Sequence, residues 1–372
     1  MIVDRGETEL KQDARQDARI ADAPTLNEAR TESDDEFQAR MLAGVSRTFA
    51  LTIPQLPPAL ARVVANAYLL CRIVDTIEDE PAVSPTLKGA LCAQFVAALS
   101  RGARTARQFS RQLLPLLSAR SSRTERELIA HADRVVDITH QFTPSQQDAL
   151  IECVAVMGAG MVKFQEEPAY GLPDLGALDR YCYHVAGVVG EMLTKLFCEY
   201  SPEIARNRDR MLQLAVAFGQ GLQMTNILKD VWDDLERGRC WLPREVFTDA
   251  GFDLAQLAPG CVNQGFAQGM RHIIAIAHAH LESALQYTLL IPRAEADIRN
   301  FCLWSIGMAL LTLRKIHRHL DFRSGQEVKI SRSSVKATIF ASRLCARSDP
   351  ALRLLFRAAG AGLPAIGSGV SR

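Results

Sequence analysis

The chain has 372 residues, of which 48% are hydrophobic and 23% are charged, so it can bury a large core. Its 43 basic and 42 acidic side chains give a net charge of +1, which excludes the overall basic character of a nucleic-acid-binding protein. The nine cysteines stand singly, without a C-x-x-C pair. This usage favours reduced thiols over disulfides or a zinc site and predicts a cytoplasmic protein.

Composition divides the chain into three regions. Residues 1–35 are charged and poor in large apolar side chains, which predicts a disordered N-terminal tail. Residues 36–345 carry apolar residues at helical spacing and predict one all-α domain. Residues 346–372 end in glycines and predict a loose C-terminal tail. The apolar stretch 301–313 is too short to cross a bilayer, so membrane contact is expected to be peripheral at most.

Five long helices are predicted from the apolar spacing, and they carry the candidate site. They span residues 59–80, 145–166, 178–200, 207–237 and 298–319. Pro81 after the first helix and Gly238 after the fourth are typical of helix ends. Several glycines fall inside these helices, where each costs about 1 kcal/mol relative to Ala, and they indicate close helix packing or space for a ligand.

Two acidic clusters end apolar helical stretches. In Asp75-Thr76-Ile77-Glu78-Asp79, two aspartates lie one helical turn apart with Glu78 beside them, and Asp230-Val231-Trp232-Asp233-Asp234 repeats this spacing. Aspartates about 6 Å apart repel each other by about 3 kcal/mol at an effective dielectric constant of 20, so such a pair in a cleft favours a divalent cation. Oxygen ligands of this kind suit Mg²⁺, although a single such pair can equally be a solvated helix face.

Basic and amide side chains accompany the clusters. Arg72 precedes Asp75 by three residues, Gln223 and Asn226 precede Asp230 by seven and four, and Arg239 follows the second cluster. On a surface Arg72 would form only a weak helix ion pair. Beside a cavity these side chains would bind the diphosphate oxygens that magnesium leaves uncovered. An apolar cavity with these acidic, basic and amide side chains at its entrance would accept a long hydrocarbon with a diphosphate head.

These segments resemble, in order, the motifs of the squalene and phytoene synthase family, over about residues 40–340. The matching segments are Ser46-Arg47-Thr48-Phe49, Tyr68 through Asp79, Tyr181-Cys182-Tyr183-His184-Val185-Ala186-Gly187-Val188-Val189-Gly190, Gln223 through Asp234, and Gly238 through Pro243. Phe301-Cys302 and Val328-Lys329-Ile330 are similar to elements of the squalene branch. Ser305 and Ile306 stand where the squalene branch usually has proline and glutamine after Phe-Cys.

The resemblance implies an isoprenoid synthase-type helical bundle around a central apolar cavity and a role for each matched residue. It implies that two farnesyl diphosphates condense through presqualene diphosphate and that NADPH reduces the product to squalene. The implied metal ligands are Asp75, Glu78, Asp79, Asn226, Asp230 and Asp234. The implied catalytic residues are Arg72, Asp75, Asp79, Tyr181, Asp230 and Asp234, with Tyr181 assisting proton removal. The implied substrate-binding residues are Ser46, Arg47, Phe49, Tyr68, Gln223, Asn226, Arg239 and Phe301.

Two alternatives remain open. A relative that does not reduce its product would make phytoene, dehydrosqualene or presqualene diphosphate from a C15 or C20 donor. A catalytically silent helical scaffold would bind a membrane or a partner through an apolar face. The sequence contains no G-x-G-x-x-G segment following a strand, and it does not indicate a nicotinamide site.

Overall fold

The structure is a computed structural model that describes residues 32–46, 48–164, 170–260 and 263–366. Helices of eight residues or more within these ranges are numbered α1–α14 in chain order. They are Asp34–Val45 (α1), Pro58–Asp79 (α2), Pro85–Arg101 (α3), Ala103–Leu113 (α4), Arg123–Ala130 (α5), Ala132–Thr139 (α6), Pro144–Phe164 (α7), Leu175–Cys182 (α8), Val188–Tyr200 (α9), Arg208–Lys229 (α10), Gln264–Leu290 (α11), Ala296–Arg318 (α12), Arg332–Cys345 (α13) and Asp349–Ala359 (α14).

Shorter helical segments connect these helices. They are Phe49–Thr52, Ile53–Gln55, Leu114–Leu116, Pro202–Ala205, Val231–Glu236, Arg244–Asp249, Leu254–Gln256, Gly325–Val328 and the π-helical turn Tyr183–Gly187. The described ranges contain no strand, apart from an isolated bridge in which Leu172 pairs with Pro243. The predicted all-α class is therefore confirmed.

Helix α10 lies at the centre of the bundle. It packs against α11, α9 and α12, while α2 packs against α1 and α7 on the other side. Glycines permit the closest approaches, since a Cβ at Gly219 would lie 2.2 Å from the carbonyl oxygen of Ala186, and one at Gly190 would lie 2.3 Å from that of Ala215. The predicted close packing at helix glycines is confirmed at these two positions.

Two of the five predicted helices are interrupted. The helix predicted over residues 178–200 contains the π-helical turn Tyr183–Gly187, and the one predicted over 207–237 ends at Lys229 and resumes at Val231. Asp230 has φ −98° and ψ 13° at this break. The break lets Trp232, which is 2% exposed, pack against Phe266 and Phe322.

The predicted tails need correction where the structure describes them. Helix α1 begins inside the predicted N-terminal tail, because Ser33 and Glu36 form a reciprocal capping box; residues 1–31 lie outside the described residues. At the other end, residues 349–359 form α14 rather than a loose tail. Leu352 and Phe356 lie one turn apart on that helix and are buried, so it belongs to the packed structure.

Candidate active site

The first acidic cluster lies in the last two turns of α2. Asp75 follows a run of buried apolar residues on this helix, and its Oδ2 lies 3.9 Å from an Nη atom of Arg72. Glu78 is partly buried and Asp79 is exposed at the end of the helix. All three side chains line one polar cavity.

Arg72 is held in place from a second helix. Its guanidinium donates to the carboxylate of Glu125, which also accepts a hydrogen bond of 2.7 Å from the Ser122 amide at the start of α5. Burial alone would raise the pKa of Glu125, but the Ser122 amide and the Arg72 charge hold it below its ordinary value. Glu125 therefore stays ionised and fixes Arg72 beside Asp75.

The second acidic cluster surrounds the break after α10. Lys229 Nζ lies 3.1 Å from Oδ2 of Asp230, and Arg237 Nη1 lies 3.8 Å from Oδ1 of Asp234. The Asp234 amide donates to the Asp230 carbonyl over 2.8 Å, and the Arg239 amide donates to the Asp234 carbonyl over 2.9 Å. These bonds keep the cluster and the following basic residues in one compact turn.

The two clusters meet across the polar cavity, which has a volume of about 840 Å³. Burial raises the pKa of Asp75 to about 7, and the Asp79 charge adds to this rise. Burial likewise raises the pKa of Asp234 to about 7, and both Asp230 and Asp79 contribute. Asp79 and Asp234 belong to different clusters and line the same cavity, so the two clusters form one site.

An apolar chamber of about 320 Å³ adjoins the polar cavity. The two spaces share four lining residues, and these are Asp75, Val185, Gln223 and Asn226. Phe301 lines the chamber and packs edge-on against Phe197 at a ring separation of 6.2 Å. The site is therefore an acidic polar cavity that opens into an apolar chamber.

Tyr181 lies at the wall of the polar cavity. Its ring stacks on Trp241 with a centroid distance of 4.0 Å and an interplanar angle of 10°. The bridge at Leu172, whose amide donates to the Leu242 carbonyl over 2.9 Å, ties the Trp241 segment to the chain that enters α8. Burial raises the pKa of Tyr181 well above its ordinary value, and Glu78 adds to the effect, so this side chain is a neutral phenol.

The remaining predicted residues have different placements. Gln223 and Asn226 line both spaces, and Arg239 lines the polar cavity. Phe49 and Tyr68 line the chamber with their rings 5.0 Å apart. The Ser46 hydroxyl accepts a hydrogen bond of 3.0 Å from the Phe49 amide, so its contact with a substrate stays a prediction. Arg47 lies outside the described residues.

The sequence analysis missed several side chains of the polar cavity. They are Lys88, Arg120, Lys229, Arg237 and Trp241. Lys229 and Arg237 flank the second cluster in the sequence, so their position could have identified them as side chains of the polar cavity. Lys88 lies on α3 and is 4% exposed, and its Nζ donates to the carbonyl of Glu78. Nothing in the spacing along the chain places this lysine beside the first cluster.

The donor set fits magnesium. Mg²⁺ usually takes one or two protein carboxylates and completes its shell with water and substrate phosphate. Within the described ranges, no group of three or more His, Cys, Asp or Glu side chains encloses a metal position. Asp75, Glu78, Asp79, Asp230, Asp233 and Asp234 all line this cavity, and a divalent cation would offset the charge of their carboxylates.

Comparison with known proteins assigns the family. The family model described as squalene/phytoene synthase matches residues 42–334, and this span contains both acidic clusters and Phe301. The chain belongs to the squalene/phytoene synthase family. The resemblance stated from the motifs is thereby confirmed.

Curated members of the squalene/phytoene synthase family match most of the chain. Squalene synthase BSS of Botryococcus braunii is 29% identical over 84% of this chain, and squalene synthase ERG9 of Saccharomyces cerevisiae is 30% identical over 80% of it. The chain spans 65% of the length of each of these relatives.

Solved structures share the fold. A complex of TcSQS with the ligand BPH1237 has a TM-score of 0.66 at 23% identity and covers 88% of this chain and 98% of its own. A dehydrosqualene synthase in complex with a ligand has a TM-score of 0.57 at 20% identity and covers 84% of this chain and 95% of its own.

Proposed function

We propose that the protein is a squalene synthase that condenses two farnesyl diphosphates head to head and reduces the product with NADPH. The observation that carries this proposal is the continuity of the acidic polar cavity with the apolar chamber through Asp75, Gln223 and Asn226. An amphiphile with a diphosphate head and a hydrocarbon tail matches both spaces. The curated relatives named squalene synthase support the same reaction.

The basic and amide side chains would bind the diphosphates. Arg72 and Arg239 approach the polar cavity from its two sides, while Gln223 and Asn226 stand where it meets the chamber. Charge-assisted hydrogen bonds from guanidinium groups to phosphate oxygens are strong and directional. They would hold each head group with its C1–O bond directed toward the chamber.

Asp75, Asp79, Asp230 and Asp234 would hold Mg²⁺, with Glu78 and Asn226 as further oxygen donors. Bound there, the metal would neutralise the diphosphate charge and make it a better leaving group. The protein's own contribution is the arrangement of the carboxylates, because each pair is fixed by a nearby basic residue. Arg72 does this for Asp75, and Lys229 does it for Asp230.

The chamber would protect the carbocation. When the C1–O bond breaks, its electron pair leaves with the diphosphate and an allylic cation remains. The C2–C3 alkene of the second molecule then attacks this cation, and loss of one proton closes the cyclopropane ring of presqualene diphosphate. The apolar walls exclude the water that would otherwise trap the cation. The faces of Phe301 and Phe49 would stabilise the positive charge.

Tyr181 would relay the proton lost in cyclopropane closure. Its high pKa means that the phenolate is absent at neutral pH, so the phenol oxygen must accept one proton while its own proton passes on. The released diphosphate in the same cavity is a suitable final acceptor. Stacking on Trp241 fixes the plane of the phenol during this transfer.

The reduction is the finer part of the proposal. NADPH would supply a hydride to the final cation. The described residues contain no glycine-rich loop between a strand and a helix, and no nicotinamide site is assigned among them.

A product assay tests the proposal. Purified protein is incubated with farnesyl or geranylgeranyl diphosphate and Mg²⁺, with and without NADPH, and the hexane extract is identified by mass spectrometry. Squalene that forms only with NADPH and the C15 donor is the expected result. Presqualene diphosphate or dehydrosqualene regardless of NADPH, or phytoene from the C20 donor, would instead identify the non-reducing alternative. Absence of any diphosphate release would favour the silent scaffold.

A further inference from the structure

Helices α13 and α14 expose three large apolar side chains. Phe340 and Leu344 lie one turn apart on α13 and are 67% and 70% exposed, and Leu354 on α14 is 67% exposed. A groove of about 390 Å³ runs between these helices and α12 and is lined mainly by apolar side chains such as Ala341 and Leu355. We call Phe340, Leu344, Leu354 and this groove the C-terminal apolar surface.

The same region carries a strong positive charge in a chain whose overall net charge is only +1. Residues 328–366 contain seven basic side chains, all exposed, and one acidic side chain. The basic residues are Lys329, Arg332, Lys336, Arg343, Arg347, Arg353 and Arg357. The single acid, Asp349, already pairs with Arg293 and Arg299 at 2.7 and 2.8 Å. The positive charge therefore has no local counterpart on these helices.

The C-terminal apolar surface also adjoins the wall of the chamber. Arg343 on α13 donates a hydrogen bond of 2.8 Å to Gln55, at the end of the short segments that begin at Phe49. Phe49 and Ile53 of those segments line the chamber, while Leu51 between them is 49% exposed. The segment thus has one side in the chamber and one beside α13.

We propose that α13 and α14 dock on an anionic phospholipid bilayer. Apolar side chains among exposed Lys and Arg are typical of helices that lie in the membrane interface. Two copies of this surface would repel each other, because both are basic, so charge complementarity favours anionic lipid over a second copy. Among the described residues, no helix has the length and apolarity of a membrane span.

Docking would place the Phe49–Gln55 wall of the chamber next to the lipid. A C30 hydrocarbon has almost no solubility in water, so its release into the bilayer would avoid an unfavourable transfer. This consequence rests on the proposed function, whereas docking itself does not. Binding and catalysis are therefore measured separately.

The test is co-sedimentation of the full chain with vesicles. One set contains phosphatidylcholine alone, and in the other about a third of the lipid is phosphatidylglycerol. We expect binding to the anionic set and a loss of most of it when the salt rises from about 0.05 M to about 0.5 M. Absence of binding to the anionic vesicles would overturn the proposal, whatever the product assay gives.

An apolar variant and a matched control locate the surface. The triple variant Phe340→Ser, Leu344→Ser and Leu354→Ser should bind at least about tenfold more weakly, because each apolar side chain that leaves water adds to the partitioning. Tyr200→Ser removes an apolar side chain that is 41% exposed on α9, and it should leave vesicle binding unchanged. Equal binding of the triple variant and the wild type would contradict the proposal.

A charge variant completes the design. Replacing Lys336, Arg347, Arg353 and Arg357 with Gln should weaken binding to the anionic vesicles by about tenfold or more. The control replaces exposed arginines of another face, Arg101→Gln, Arg104→Gln and Arg111→Gln, and should weaken binding by less than about threefold. An equal loss in both would show binding through net charge alone and overturn the surface assigned here.

Folding and self-association are checked on the same samples. All variants should keep the wild-type circular dichroism spectrum and release diphosphate at the wild-type rate in detergent. Size-exclusion chromatography should give the same elution volume for the wild type and the triple Ser variant. A dimer that the triple variant converts to a monomer would identify a second copy as the occupant and refute docking on lipid.

Discussion

Replacing Asp75 with Asn should stabilise the metal-free protein while removing most of its turnover. Burial has raised the pKa of the Asp75 carboxyl to about 7, so its ionised form is unfavourable in the folded state. In the unfolded chain the same group has an ordinary pKa near 4. The folded protein therefore binds a proton more tightly here, and stability contributed by this group is lost as pH rises from about 4 to 7.

The size of the gain follows from the two pKa values. A rise from 3.8 to about 7 corresponds to about 4 kcal/mol at 1.36 kcal/mol per unit. This is an upper limit, because 29% of the side chain is exposed to solvent. Asn has nearly the same shape and carries no charge, so we expect a gain of about 1–2 kcal/mol at pH 8.

Urea unfolding at pH 8 in EDTA measures this difference, and repetition at pH 5 should show it reduced. Asp137→Asn, on the exposed face of α6, is the control and should change neither stability nor turnover. Turnover of Asp75→Asn with Mg²⁺ should fall by about a hundredfold or more, as for loss of a group that binds the transition state. A variant that is active, or no more stable than the wild type at pH 8, would refute the reasoning.

Three further results are expected. Mg²⁺ affinity should fall as pH decreases from 8 to 6, because Asp75 and Asp234, both with a pKa of about 7, must lose protons to bind it; calorimetry in two buffers detects the released protons. Arg299→Met should lower the free energy of unfolding by about 3–5 kcal/mol in urea titrations, because the guanidinium of this 1%-exposed side chain donates to Asp349 and to buried carbonyls. Arg293→Met removes the other partner of Asp349, a side chain that is 62% exposed, and should lower the free energy of unfolding far less. Phe218→Ala should enlarge the chamber and raise the rate with the C20 donor relative to the rate with the C15 donor. An unchanged ratio of these two rates would show that another wall limits chain length.

The sequence predicted the parts of the site that depend on spacing within one helix. Asp75 and Asp79 lie one turn apart because α2 is continuous from Pro58 to Asp79, and a proline soon follows. The apolar residues that precede Asp75 predicted that the cluster would adjoin a buried region. That the two clusters face each other depends on where the bundle places α2 and α10, and spacing within one helix does not determine this.

The other features of the fold and the site depend on contacts between segments that are distant in the sequence. The break at Asp230 is favoured by burial of Trp232 against two rings distant in sequence, Phe266 on α11 and Phe322 after α12. The π-helical turn at Tyr183 lies where Gly219 of α10 approaches the backbone at Ala186. Lys88 reaches the polar cavity only because α3 folds back beside α2. Helix α14 was missed because it is short and the glycines that follow it suggested a tail.

The most direct test of the shared site is a crystal structure with Mn²⁺ and farnesyl thiodiphosphate, in which anomalous scattering locates the metal. The account predicts metal peaks at Asp75 or Asp79 and also at Asp230 or Asp234, with the diphosphate between them. The hydrocarbon chain should lie in the chamber beside Phe301. Metal at one cluster alone, or a diphosphate bound away from both clusters, would contradict it.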